Sequence, residues 1–131
     1  MQDPQDPLVA AALAARRNAF APFSKFQVGA ALEDAEGRIH TGCNVENATY
    51  GLTICAERVA VFKAISEGAR RFRRIAVAAD TEDLAPPCGA CRQILWEFCG
   101  DLEILLVNPR GKSETYRLRD LFPKPFDARY L

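Results

Sequence analysis

The stretch "RIAVAADTEDLAPPCGACRQILWEFCGDLEILLV", residues 74–107, places a helix-like segment between two apolar runs of strand length. Arg74 to Ala79 and Leu102 to Val107 read as buried strands, because short apolar runs bounded by turn residues fit strands covered on both faces. Between them, after the polar loop "DTEDLAPP", Pro87 suits a helix start and Gly100 a helix end. The spacing therefore predicts a helix from about Gly89 to Phe98. At its mouth "PCGAC", Pro87 to Cys91, carries two thiols three residues apart.

Upstream, Thr53 to Glu67 ("TICAERVAVFKAISE") has apolar residues at Ile54, Val61, Phe62 and Ile65, a capping candidate in Thr53, and a stop at Gly68. A second helix is predicted there, starting close to Cys55. Before it, "FQVGAALE" (Phe26 to Glu33) and "RIHTGCNV" (Arg38 to Val45) read as two strands joined by the turn "DAEG". Alanine-rich Leu8 to Phe20 places Leu8, Ala12, Leu13 and Phe20 at near-helical spacing and is stopped by Pro22. Downstream, "NPRGK" is a turn, Glu114 to Leu118 a fifth strand and "RDLFP" a short helix. The order αββαβαββα predicts an α/β protein: a three-layer α/β/α sandwich around a mixed five-stranded sheet. Residues 1–131 are expected to form one domain, with residues 1–7 as a flexible lead. The tail "LFPKPFDARYL" holds Phe122, Phe126 and Tyr130, and these rings are expected to pack against something.

The chain has 131 residues, 49% of them hydrophobic and 26% charged, with 17 basic and 17 acidic side chains. A zero net charge argues against nonspecific attraction to nucleic acid, which depends on Lys and Arg displacing counterions. The cluster "RRFRR" (Arg70, Arg71, Arg73, Arg74) reads as a solvated connection from helix to strand rather than a phosphate patch. "MQDPQDP" lacks the basic start and apolar core of a secretion signal, and "LVAAALAA" is far shorter than the ~20 residues that span a bilayer. The expectation is a soluble cytoplasmic protein with no membrane partner.

In a reducing compartment, five cysteines serve as ligands, catalytic groups or core fillers more readily than as disulfides. Taken alone, a Cys-x-x-Cys opening a helix after a strand also fits a redox pair. Cys55, in "CAE", favours zinc: it too lies near a predicted helix start, and a dithiol mechanism does not need it. Helix N-termini stabilise thiolates, and Cys88 and Cys91 share a helix face, so both can reach one ion at ~2.3 Å. Three ligands leave a fourth position for water, as in a catalytic site; a fourth protein ligand would make the site structural. Cys99 lies about 12 Å along the helix from Cys91 and is a poor choice. Spacing leaves His40 and Cys43 open, although each on its own reads as a packing or surface residue.

Glu57, two residues after Cys55, puts a carboxylate beside the ion. Water whose pKa zinc has lowered from about 15.7 toward ~7 still needs a group to take and deliver protons. Arg58, three residues after Cys55, can donate to the ligand sulfurs and offset the negative charge of three thiolates. Without Cys55 nearby, Glu57 would be an ordinary solvated glutamate and Arg58 a surface arginine.

"CAE" followed by "PCGACRQ" resembles the zinc signature of the cytidine deaminase family. The likeness extends through "APFSKFQVGAAL" and "TGCNVENATYGLTICAERVA" to the "NP" after the Leu102–Val107 strand, roughly Ala21 to Phe126. Zinc deaminases hold the metal on three cysteines or on one histidine and two cysteines, beside a glutamate that is not a ligand, and the likeness here is to the three-cysteine kind. The nearest likeness is to the small homotetrameric members that convert cytidine and deoxycytidine to the uridine forms. It implies one Zn²⁺ per subunit on Cys55, Cys88 and Cys91, water adding to C4, and Glu57 carrying protons. It also implies that Asn44 and Glu46 bond the ribose, Phe26 lines the pocket and the backbone at Ala56 contacts the base. Active sites are expected at subunit interfaces, with a neighbour's Phe126 stacking on the pyrimidine and Tyr50 near another interface. The rivals are a deaminase of nucleoside antibiotics, a polynucleotide cytosine deaminase, and a structural-zinc or redox module without hydrolytic activity.

Overall fold

The computed structural model describes residues 6–131. Residues 1–5 of the expected lead lie outside the described residues, and Asp6 and Pro7 do not extend it. Asp6 caps helix α1 (Pro7–Arg16) by accepting from the Leu8 N–H at 3.0 Å, and Pro7 takes the first turn, where no N–H is needed. α1 ends before Phe20, short of the predicted boundary. Phe20 instead pairs its backbone with the 44–46 segment, its N–H donating to Asn44 O at 2.9 Å and its carbonyl accepting from Glu46 N at 2.8 Å.

Then follow β1 (Val28–Asp34), β2 (Ile39–Cys43), α2 (Ala56–Ser66), β3 (Phe72–Ala79), α3 (Gly89–Cys99), β4 (Glu103–Val107), β5 (Ser113–Arg117) and α4 (Leu118–Leu121). Two 3₁₀ turns, Tyr50–Leu52 and Ala128–Tyr130, went unforeseen in the sequence. α2 begins next to Cys55 as expected, but its cap is Cys55 itself, two residues past the Thr53 candidate. Ile54 is held extended by reciprocal backbone bonds with Val45 at 3.0 Å, and the Thr53 hydroxyl accepts from Asn47 N at 3.0 Å, so neither can begin a helix.

The sheet order is β2-β1-β3-β4-β5, antiparallel throughout except for the parallel pair β3 and β4. A parallel pair needs a crossover, and α3 supplies it. α1 covers one face and α2 with α3 the other, which is the expected three-layer α/β/α sandwich. Alternation along the strands divides the core. Leu32, Ile75, Val77, Ile104 and Leu106 face α2 and α3, whereas Ala31, Ala76 and Ala78 face α1. Burying each large side chain contributes roughly 1.5–3 kcal/mol, so the layer that carries the cysteines is the more firmly seated one.

Two glycines set how close the helices lie. A Cβ on Gly29 would stand 2.2 Å from Ala12 O of α1, and one on Gly42 would stand 2.5 Å from both Ala56 O and Ala60 N of α2. Gly42 thus lets the first turn of α2 rest directly on β2. The "RRFRR" arginines tie the chain together. Arg74 donates to Asp6 at 2.7 and 3.0 Å and to Glu33 at 3.3 Å, Arg70 to the carbonyls of Ile65 and Ala69 at 2.8 Å, and Arg73 to the carbonyl of Ala35.

Candidate metal centre and active site

α2 and α3 begin at the same place. Cys55 and Cys88 occupy their N-cap positions, and neither makes a side-chain capping bond. An oxygen-bearing cap there would add ~1 kcal/mol to each helix, so the sulfurs forgo local stability. Cys91 lies one turn into α3, and the three Sγ atoms all fall within 4.8 Å of one another, the one such group among the described residues. An all-sulfur set gathered at two positive helix ends fits zinc, which prefers thiolate ligands in tetrahedral geometry.

The thiols already share charge unequally. A hydrogen bond from Cys91, with the Arg58 guanidinium adding to it, pulls the Cys55 thiol down to about 5; the same bond and burial push Cys91 up. Arg58 Nη2 donates to Cys55 Sγ at 3.3 Å, while its Nε is buried with no partner among the described residues. His40 and Cys43 do not join the cluster. His40 is buried against Asp34 at 2.9 Å and Glu67 at 3.3 Å, and Cys99 is raised to about 12 by burial, as an inert core thiol would be.

Glu57 is 5% exposed, and burial pushes its carboxyl up to about 7. It lines a cleft of about 190 Å³ together with Cys55, Ala56, Cys88, Phe26 and Asn44. That is below the ~300–1,000 Å³ of sites that enclose drug-sized ligands, and it suits a single ring. A wider hollow of about 340 Å³ between Asp34, Arg38 and Arg70 lies at the far end of α2 and contains no thiol.

Asn44 is fastened to the cleft wall. Its Oδ1 accepts from Val28 N at 2.8 Å and its Nδ2 donates to Phe26 O at 2.7 Å, which leaves one N–H of the amide for another acceptor. Glu46 and Tyr50 border a separate hollow of about 340 Å³ with Phe23 and Ser24, and Thr53 borders both. The Glu46 carboxylate accepts from Phe23 N at 2.9 Å, Ser24 N at 3.1 Å and the Ser24 hydroxyl, which hold it below the usual carboxylate range. Phe126 lies in neither hollow; it is exposed and stacked on Tyr130 at 5.6 Å. The role of Ser24 in holding Glu46 was not foreseen, although "SKF" close before the first strand of a hairpin is a place where loop–loop bonds form.

Residues 2–105 match the family model described as the cytidine and deoxycytidylate deaminase zinc-binding region. A cytidine deaminase of Sporosarcina psychrophila is 49% identical over 120 residues, covering 91% of this chain and 88% of the relative. One from Halalkalibacterium halodurans is 49% identical over 122 residues, 92% of each chain. The crystal structure of a cytidine deaminase from Burkholderia pseudomallei superposes with a TM-score of 0.90 at 46% identity, covering 95% of this chain and 100% of that one. Three gathered thiols, a buried glutamate beside them and likeness over nearly the whole length agree: the chain belongs to the zinc-binding cytidine and deoxycytidylate deaminase family.

Proposed function

We propose that the chain hydrolyses cytidine and 2′-deoxycytidine to uridine and 2′-deoxyuridine with release of ammonia, using Glu57 to carry protons. The observation that supports this most is Glu57 itself: buried, raised to about 7, and facing a one-ring cleft beside three thiols. Cys55, Cys88 and Cys91 would hold zinc, which when bound lowers the pKa of water toward ~7 and polarises the reacting centre. Glu57 takes the proton that water loses as its oxygen adds to C4, and delivers it to N3 of the pyrimidine. It then carries the remaining hydroxyl proton to the exocyclic nitrogen, the C4–N4 bond breaks, and ammonia leaves. A carboxyl balanced near neutral pH both accepts and donates, which this two-way transfer requires.

Asn44 and Glu46 bond the ribose in this reading, the first through its remaining amide N–H. Phe26 flanks the base and the backbone at Ala56 contacts it. A site that bonds a sugar hydroxyl can reject an analogue without it by roughly 10⁴-fold, so free cytosine should be a poor substrate. Arg58 steadies the thiolate charge. The cleft is small for a whole nucleoside, and Phe26 on its lining and Phe23 and Tyr50 on the neighbouring hollow stand exposed. Exposed apolar groups of this kind favour an interface. We read this interface as that of a homotetramer with active sites between subunits, each completed by a neighbour's Phe126, with Tyr50 near another interface. We read residues 1–131 as one domain acting in the cytoplasm, where five free cysteines are kept reduced.

The test is the ultraviolet absorbance change when zinc-replete protein meets cytidine, with Glu57→Ala beside it. Native turnover and at least a ~10²-fold loss in the variant, zinc retained, are expected. Equal rates would remove Glu57 from the mechanism, and no native conversion would remove the substrate.

A further inference from the structure

α3 carries Cys88 and Cys91 at its start, and its next turns grip the C-terminal segment. Arg92 Nε donates to Pro87 O at 2.8 Å, on the residue before Cys88, and its Nη1 donates to Leu121 O at 2.7 Å. One residue on, Gln93 Nε2 donates to Phe126 O at 2.9 Å, and one turn later Trp96 Nε1 donates to Asp127 Oδ2 at 2.9 Å. The other oxygen of Asp127 accepts from Arg129 N at 3.0 Å and Arg129 Nε at 2.8 Å. The backbone around Phe126 is thus tied down on the helix side and on the tail side.

Its ring is not. Phe126 and Tyr130 stack with centroids 5.6 Å apart and planes at 18°, the Arg129 guanidinium lies 5.4 Å over Tyr130, and the two residues are 57% and 52% exposed. A tail folded for its own stability would turn its rings inward and leave its polar groups to water. Here the polar groups are spent on fixing the backbone and the rings are held outward. That arrangement makes sense if the ring has a place to go.

We propose that Gln93, Trp96 and Asp127 form a clamp that positions the Phe126 ring for the pyrimidine in the cleft of a second copy of this chain, referenced to the helix that carries Cys88 and Cys91. The inference rests on the proposed function. Gln93, Trp96 and Asp127 are positioning residues, since they act only through Phe126.

Kinetics with cytidine test the clamp. Gln93→Ala combined with Trp96→Phe should raise KM about tenfold with kcat within about twofold and zinc content unchanged. Asp127→Asn, which keeps an acceptor for Trp96, should raise KM less than Asp127→Ala. Adding Phe126→Ala to the double variant should produce little further rise, because residues acting through one contact are not additive. Unchanged KM, full additivity, or a fall in kcat and zinc together would each overturn the proposal, the last by showing a purely structural role. Trp96 is the single tryptophan, so its emission reads the clamp without turnover. Asp127→Ala should make it more open to iodide quenching, and unchanged quenching would overturn the clamp itself. If the native chain does not deaminate cytidine, the placement of Phe126 for a pyrimidine falls with the proposed function, and the iodide result still decides whether the clamp exists.

Discussion

At the C-terminal end of α2, Asp34 is 2% exposed, and both its oxygens are filled: by Glu36 N at 2.9 Å and Arg38 N at 3.0 Å on one side, by His40 Nε2 at 2.9 Å and Arg38 Nε at 3.0 Å on the other. At the N-terminal end, Glu57 is nearly as buried, yet its carboxyl is pushed upward, three thiols crowd together and Arg58 Nε lacks a partner among the described residues. The hydrogen bond from His40, with others behind it, holds Asp34 well below the usual carboxylate range. A buried charge whose every lone pair is met belongs to the scaffold. A buried carboxyl that burial holds near neutrality, beside a cleft, is ready for chemistry.

Cys88→Ser gives the largest break in that contrast. Cys88 is exposed and caps nothing with its side chain, so folding should survive. A hydroxyl cannot replace a thiolate ligand, and zinc per chain, read by atomic absorption, should fall from about one toward zero with turnover at background. Gly42→Ala comes next. Its Cβ would press on Ala56 O and Ala60 N, each 2.5 Å away, and overpacking of this kind costs ~1–3 kcal/mol, measurable by urea unfolding. Because α2 must shift at its first turn, kcat should fall with stability.

Asp34→Asn should have the smallest effect and the most specific pH signature. Asp34 has its pKa lowered on folding, so the unfolded chain binds more protons in acid and the stability it contributes is present above its ordinary value of 3.8. That contribution is lost as pH falls below this value. At neutral pH the variant should unfold at lower urea than the native chain, with kcat unchanged; in acid the two should converge. A gap that persists in acid would mean that Asp34 stabilises by shape rather than by charge.

Much of the scaffold is legible locally. Pro87 and Gly100 mark α3, and the alternating Ile75, Ala76, Val77 and Ala78 mark a strand covered on both faces. Thr53 shows where local reading fails: it has the right chemistry for a cap, but Val45 holds the next residue extended through a long-range backbone pair. Phe20 fails for the same reason, drawn out of α1 by the 44–46 segment. Glu46 was singled out only through the family resemblance, and its grip on Ser24 depends on two loops meeting across 22 positions of sequence.

By itself the sequence determined the ingredients: which thiols exist, that two of them open one helix, that a third opens another, and that a glutamate and an arginine follow it within one turn. These are consequences of spacing and of helix-end chemistry, both local. Only the tertiary structure decided that β3 and β4 pair in parallel, that Gly42 lets α2 rest on β2, and that the two helix starts converge on one point. It alone buried Glu57 enough to raise its carboxyl to about 7 while meeting every lone pair of Asp34 at the other end of the helix. Burial and partner count arise from what the fold brings across long stretches of chain, and a proton's affinity follows from both.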